Sequence, residues 1–137
     1  LWRHLINYRC GTGHSVSFVG NVHEGPHSLR GTNSVVMRPG MVVTDEPGVY
    51  ETDLVGIRIE NELVCVHKAD NQYGTFLGFE PIMFVPIATS PIVPGVLTKD
   101  ELDWLNNYHR QVFEKLAPRL NDEEREWLAK KCAAIGC

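Results

Sequence analysis

Basic residues never gather in this 137-residue chain: its 13 lysines and arginines are scattered among 17 aspartates and glutamates, for a formal net charge of -4. The electrostatic footprint of a nucleic-acid binder is therefore absent. No stretch approaches the roughly 18 uninterrupted apolar residues of a membrane span, and no charged start leads into a signal-type apolar segment. The four cysteines, Cys10, Cys65, Cys132 and Cys137, lie far apart with no close pair. That spacing argues against a structural zinc site and a short disulfide framework, and it points to a reducing compartment. The chain also lacks an initiator methionine and opens on Leu1-Trp2-Arg3-His4-Leu5 as though already inside a helix. It is expected to be the later part of a longer protein. What is present, 43% hydrophobic and 22% charged residues, suits one ordinary globular domain with a real core.

Residues 1–8 suit the last turns of a helix, with Leu1, Leu5 and Tyr8 on one face and Gly11 as the stop. Residues 10–26 are punctuated by Gly11, Gly13, Gly20 and Gly25, and they carry His14 and His23 on a backbone with little helical periodicity. Loose alternation over 15–22 predicts a short strand leading into a turn at 23–26. Arg38-Pro39-Gly40 reads as a tight turn feeding a β-branched strand over 41–46, which Pro47-Gly48 ends. A third strand is predicted over 56–66, with Ile57, Ile59, Leu63 and Cys65 on a core face and Arg58, Glu60 and Glu62 opposite. A fourth covers 78–87, with Pro81 and Pro86 favouring an edge or strand ends. Four strands in succession suggest a mostly antiparallel sheet. A Pro-rich connector over 89–95 leads to a helix that the Thr98/Glu101 capping box opens, with Leu102, Leu105, Tyr108, Val112 and Leu116 on one face up to Pro118. Asn121 and Glu124 repeat that signal before a shorter helix that runs toward Gly136. Trp104, Tyr108 and Trp127 read as packing residues. The fold class is α+β, divided into residues 1–95 and a helical extension over 96–137.

The chemistry-bearing residues are one imidazole and two strand-borne carboxylates, Glu46 and Glu60, joined by a connection short enough for adjacent pairing. Such a set suits Mn²⁺, Co²⁺ or Zn²⁺. Carboxylates can bridge two cations, and a bridged pair activates water at neutral pH. A second histidine nearby could move protons.

Four motifs in order, Gly11-Thr12-Gly13-His14, Asn21-Val22-His23-Glu24-Gly25-Pro26, Thr44-Asp45-Glu46-Pro47-Gly48-Val49-Tyr50 and Gly56-Ile57-Arg58-Ile59-Glu60-Asn61, closely resemble those of the aminopeptidase P family. The likeness continues through Phe79-Glu80-Pro81 and Asp103-Trp104-Leu105-Asn106-Asn107-Tyr108. These are Xaa-Pro aminopeptidases of the pita-bread metallopeptidases, a group shared with prolidase, methionine aminopeptidase and creatinase. The resemblance implies the C-terminal half of a pita-bread fold, a curved antiparallel sheet followed by two C-terminal helices. It implies a dinuclear centre, most often of manganese, with His14 as histidine ligand and Glu46 and Glu60 as glutamate ligands, Glu60 bridging and Glu46 also transferring a proton. His23 would contact the substrate and assist proton movement, while Arg58 would orient carboxylates. The implied reaction is hydrolysis of the N-terminal peptide bond when proline is second, by a metal-bridging hydroxide. The relatives imply a cytosolic homodimer joined through the C-terminal helices.

The chain departs from the family pattern at three points. The family uses five protein ligands, two of them aspartates upstream of the histidine, and nothing before Cys10 supplies them; Asp45 and Asp53 do not match those positions. The chain is thus expected to be inactive without an upstream segment of the same protein. Cys10 stands where relatives often carry a substrate-contacting histidine, and a thiol is a weaker donor. Ser15 also replaces a glycine common after the ligand. The rival readings are prolidase or another pita-bread hydrolase, and a metal-free pita-bread module that serves only in peptide binding or interaction.

Overall fold

The structure, a computed structural model, describes residues 5–136. The chain divides into two compact units, one up to Met83 and one from Phe84. The first holds seven strands: β1 (Gly13–His14), β2 (Ser28–Leu29), β3 (Val42–Asp45), β4 (Gly48–Glu51), β5 (Val55–Arg58), β6 (Asn61–Asn71) and β7 (Gly74–Pro81). Every pairing is antiparallel, in the orders β1-β2, β3-β6-β7 and β4-β5.

Two of those ladders share one register. Val42 lies opposite Val64 in β3/β6, and Gly48 lies opposite Arg58 in β4/β5, so both belong to one long hairpin running from 42 to 64. The hairpin is interrupted only at Glu46-Pro47 and Ile59-Glu60. Pro47 has no N–H to offer the ladder, and it falls opposite Ile59 in that register. The single strand expected over 56–66 is therefore two strands in two sheets. Its expected core face also splits: Cys65 is buried, whereas Ile57 and Ile59 are each 54% exposed. Beyond it, β6 and β7 form a long hairpin with a bulge between His67 and Ala69. The sequence pattern missed the outer half of that hairpin, because polar residues such as His67, Lys68 and Asp70 mask its alternation. The fourth strand stops at Pro81, and residues 82–87 continue without a ladder.

The strand expected over 15–22 is absent apart from an isolated bridge between Ser15 and Val43; residues 16–22 are bends and loop. Their alternation is real, but Phe18, Val19 and Val22 are exposed, so no burial drives a ladder. The helix expected over 1–8 falls partly on residues 1–4, outside the described residues, as does Cys137. Residues 5–8 are not helical, and Leu5 has φ of 59°.

The second unit carries α1 (Lys99–Leu116), a 3₁₀ turn (Ala117–Arg119) and α2 (Asp122–Lys131). Both helices begin with capping boxes: the Glu101 amide donates to Thr98 Oγ1 (3.3 Å) and the Thr98 amide to Glu101 Oε2 (2.8 Å), with Asn121 and Glu124 arranged alike. Pro118 stops α1. The shorter helix ends at Lys131 rather than near Gly136. Tyr108, Val112 and Leu128 form the core, with Phe84, Ile87, Phe113 and Leu116 against them. Of the three aromatics expected to pack, only Tyr108 is buried; Trp104 is 61% and Trp127 55% exposed, and Trp104 stacks on Tyr108 at 5.7 Å.

Two side chains of α1 hang the extended segment before it along the helix. Tyr108 Oη accepts from the Val85 amide (3.3 Å) and donates to the Val85 carbonyl (3.0 Å), and His109 Nε2 accepts from the Ile87 amide at 3.1 Å. His109 is fully buried, and burial pushes its imidazole below the ordinary value of 6.5.

Leu128→Ala is expected to lower the free energy of unfolding by about 2–5 kcal/mol and Trp127→Ala by well under half of that, measured in urea. Because neutral His109 is favoured in the folded state, the unfolded chain binds the extra proton and stability falls as pH drops below 6.5. His109→Gln is expected to lose less stability than the parent between about pH 7.5 and 5.5.

Candidate metal centre

Residues 12–15 run antiparallel along residues 43–46. The Glu46 amide donates to the Thr12 carbonyl at 2.6 Å, and Ser15 pairs with Val43 in the same register, which sets His14 opposite Thr44. The approach is close enough to require glycine next to the histidine. A Cβ on Gly13 would lie 1.8 Å from the Thr44 carbonyl oxygen, inside any possible contact. This is why a glycine precedes His14: it lets the imidazole lie against the end of β3.

The side chains meet there. His14 Nε2 is 3.0 Å from Glu46 Oε1, and the other oxygen, Oε2, is 3.3 Å from Arg58 Nη1. Both partners of the His14–Glu46 pair are largely shielded, with side chains 12% and 14% exposed. Thr44 Oγ1 donates to Glu46 Oε1 at 3.0 Å and accepts from the His14 amide at 3.0 Å. The His23 ring lies 4.0 Å from the His14 ring, and the amide that follows it, that of Glu24, donates to the Ser15 carbonyl at 3.2 Å. Arg58 is carried by β5 and sits 5.6 Å over the Tyr50 ring. That ring covers Gly48, where a Cβ would stand 2.7 Å from it.

Four of the five expected site residues, His14, His23, Glu46 and Arg58, are thus brought together. Glu60 stands apart: the hairpin register sets it opposite Glu46 across the Pro47 interruption, but it is exposed. Among the described residues, no group of three or more His, Cys, Asp or Glu side chains is arranged to hold a metal ion. Cys10 points its thiol at the Gly48 carbonyl, 3.5 Å away. Thr44 and Tyr50 went unnoticed as contributors, although period 2 counted back from Glu46 puts Thr44 on its face.

The donor chemistry suits a cation. His14 Nδ1 lies 3.0 Å from the Ser15 carbonyl, which can only accept, so Nδ1 donates there and Nε2 is the nitrogen turned to Glu46. Nε2 faces a carboxylate oxygen, an arrangement satisfied by a cation between the two, whether proton or metal. A backbone carbonyl holding the far nitrogen is the usual support of a metal-binding imidazole.

An interrupted antiparallel hairpin carrying such a centre, followed by two capped helices, is the C-terminal half of a pita-bread metallopeptidase fold. The structure superposes with a TM-score of 0.85, over 98% of this chain at 36% identity, on an X-prolyl aminopeptidase from Caenorhabditis elegans described as a cytosolic enzyme with a di-nuclear active site. Residues 1–67 match metallopeptidase family M24 and residues 75–135 match the C-terminal region of peptidase M24, and the chain belongs to that family. It is 45% identical over 135 residues to aminopeptidase P2 of Arabidopsis thaliana and 40% identical over 143 residues to a probable Xaa-Pro aminopeptidase P of Coprinopsis cinerea, covering 93% and 98% of this chain. The chain spans about a fifth of the length of these relatives, 19% and 23%, and 23% of the worm enzyme. Among the described residues, no helix is long and apolar enough to cross a membrane.

Gly13→Ala is expected to force residues 12–15 off β3. Amide exchange at residues 43–46, followed by mass spectrometry, should then speed up by about tenfold or more; unchanged protection would mean that the close approach does not exist.

Proposed function

We propose that this chain is the C-terminal catalytic part of a cytosolic Xaa-Pro aminopeptidase, which removes the first residue of a peptide whose second residue is proline. The observation that carries this reading is the pairing of an imidazole nitrogen with a carboxylate oxygen at 3.0 Å in a shielded site. In this reading His14 and Glu46 would hold the metal ions together with Glu60 from across the interrupted hairpin and two aspartates from the upstream part of the same protein. Two divalent cations, manganese foremost, would supply an activated water and polarise the scissile carbonyl.

The residues of this chain supply the rest. Arg58 holds Glu46 Oε2 by a charge-assisted contact, which keeps the carboxylate aimed. Glu46, anchored at both oxygens, accepts the proton of the attacking water. His23 is exposed beside His14 and within reach of an entering peptide, so it hands a proton onward as the amide bond breaks. A homodimer joined through the C-terminal helices fits the half-exposed Trp104 on α1.

The test is metal analysis and peptide hydrolysis with the full-length protein and manganese. Two metals per chain and cleavage only when proline is second are expected. His14→Ala and Glu60→Gln should each cost more than the roughly 10–100-fold that outer partners of a metal site cost, and the present chain alone should be inactive. Full turnover after chelation, or retained activity in both variants, would refute the reading.

A further inference from the structure

Thr44 is one of the few fully enclosed polar side chains in the first unit, 2% exposed, and its hydroxyl has both of its roles dictated by its neighbours. The His14 amide can only donate, so Oγ1 must accept there, at 3.0 Å. The hydroxyl proton is then committed to the other partner, Glu46 Oε1, also at 3.0 Å. Residues 12–15 and 43–46 run in a register that would hand the His14 amide to the backbone carbonyl of Thr44; the side chain intercepts it instead. The result is a closed circuit: His14 backbone to Thr44 hydroxyl, hydroxyl to Glu46 Oε1, and Oε1 to His14 Nε2 at 3.0 Å.

We propose that Thr44 is a positioning residue of the centre, whose hydroxyl locks the backbone of His14 and the carboxylate of Glu46 into one metal-binding geometry. The proposal rests on the reading of His14 and Glu46 as metal ligands. With Oε1 held by Thr44 and Oε2 by Arg58, neither torsion of the Glu46 carboxylate end is free. A site held this way binds its cation without first having to order its ligands.

The test uses the full-length protein and substitutions at Thr44 and Glu46. Thr44→Val keeps the shape and removes the hydroxyl; Thr44→Ser keeps the hydroxyl and removes the methyl. With Mn²⁺ alone as probe in titration calorimetry, Thr44→Val is expected to bind about 10–100-fold more weakly than the parent, and Thr44→Ser within about threefold of it. Cleavage of the Xaa-Pro peptide should follow the same order through kcat rather than KM. Parent-like Mn²⁺ affinity in Thr44→Val, or an equal loss in both variants, would overturn the proposal, the second by showing that packing and not the hydroxyl matters. If Thr44→Val does not fold, Thr44→Ala against Thr44→Ser isolates the same hydroxyl, and equal affinities in that pair overturn it. Glu46→Gln separates the two levels: parent-like metal binding there defeats the reading of the centre itself. Loss there together with a harmless Thr44→Val defeats only the role of Thr44.

Discussion

The geometry of the candidate centre depends on how closely residues 12–15 lie against residues 43–46. Only a glycine at position 13 permits that approach, because the Thr44 carbonyl occupies the space any side chain would need. From it follow the backbone bond between Glu46 and Thr12, the placement of His14 opposite Thr44, and the 3.0 Å separation of imidazole and carboxylate. The loop that carries His23 is tied to the same strand pair through the Glu24 amide and the Ser15 carbonyl. A loop of bends is thereby positioned by a neighbour that is regular.

The second constraint is the interruption of the long hairpin. An uninterrupted antiparallel ladder would carry residues 42–64 straight through, with Glu46 and Glu60 as one more cross-strand pair of like charge, which costs stability. Pro47 withholds a donor at that point. The ladder pauses, and the two glutamates stand at the pause. Beyond it, the Tyr50 ring lies over Gly48 and supports Arg58, whose guanidinium returns to Glu46. A defect in the ladder and the charge that compensates it are thus placed a few residues apart on the same hairpin. The exposed Ile57 and Ile59 on this stretch accord with a chain about a fifth as long as its relatives.

The second unit follows different physics. Its helices are specified locally by capping boxes and by an apolar face, and α1 then fastens the extended segment that precedes it with a phenol and a buried imidazole. His109 was not legible as such a fastener. Helical periodicity places position 109 beside the core face, and a histidine there is indistinguishable in sequence from a solvated one. Only the contact with the Ile87 amide separates the two.

By itself the sequence determined the elements whose signals are local: both helices with their caps, the turn at Pro39-Gly40, the strand that ends before Pro47, and the motif order that marks the family. Motifs shared with the family also singled out His14, His23, Glu46, Glu60 and Arg58, and the tertiary structure brings all but Glu60 together. Tertiary structure decided what depends on pairing between distant segments. It broke the strand expected over 56–66 in two, denied residues 16–22 a ladder despite their alternation, and exposed Ile57, Ile59, Trp104 and Trp127 where apolar character alone suggested burial. It also revealed Thr44 as the link between His14 and Glu46. Alternation states which residues can share a face, but whether that face meets a partner, and which donor meets which acceptor, is settled only when the strands come together.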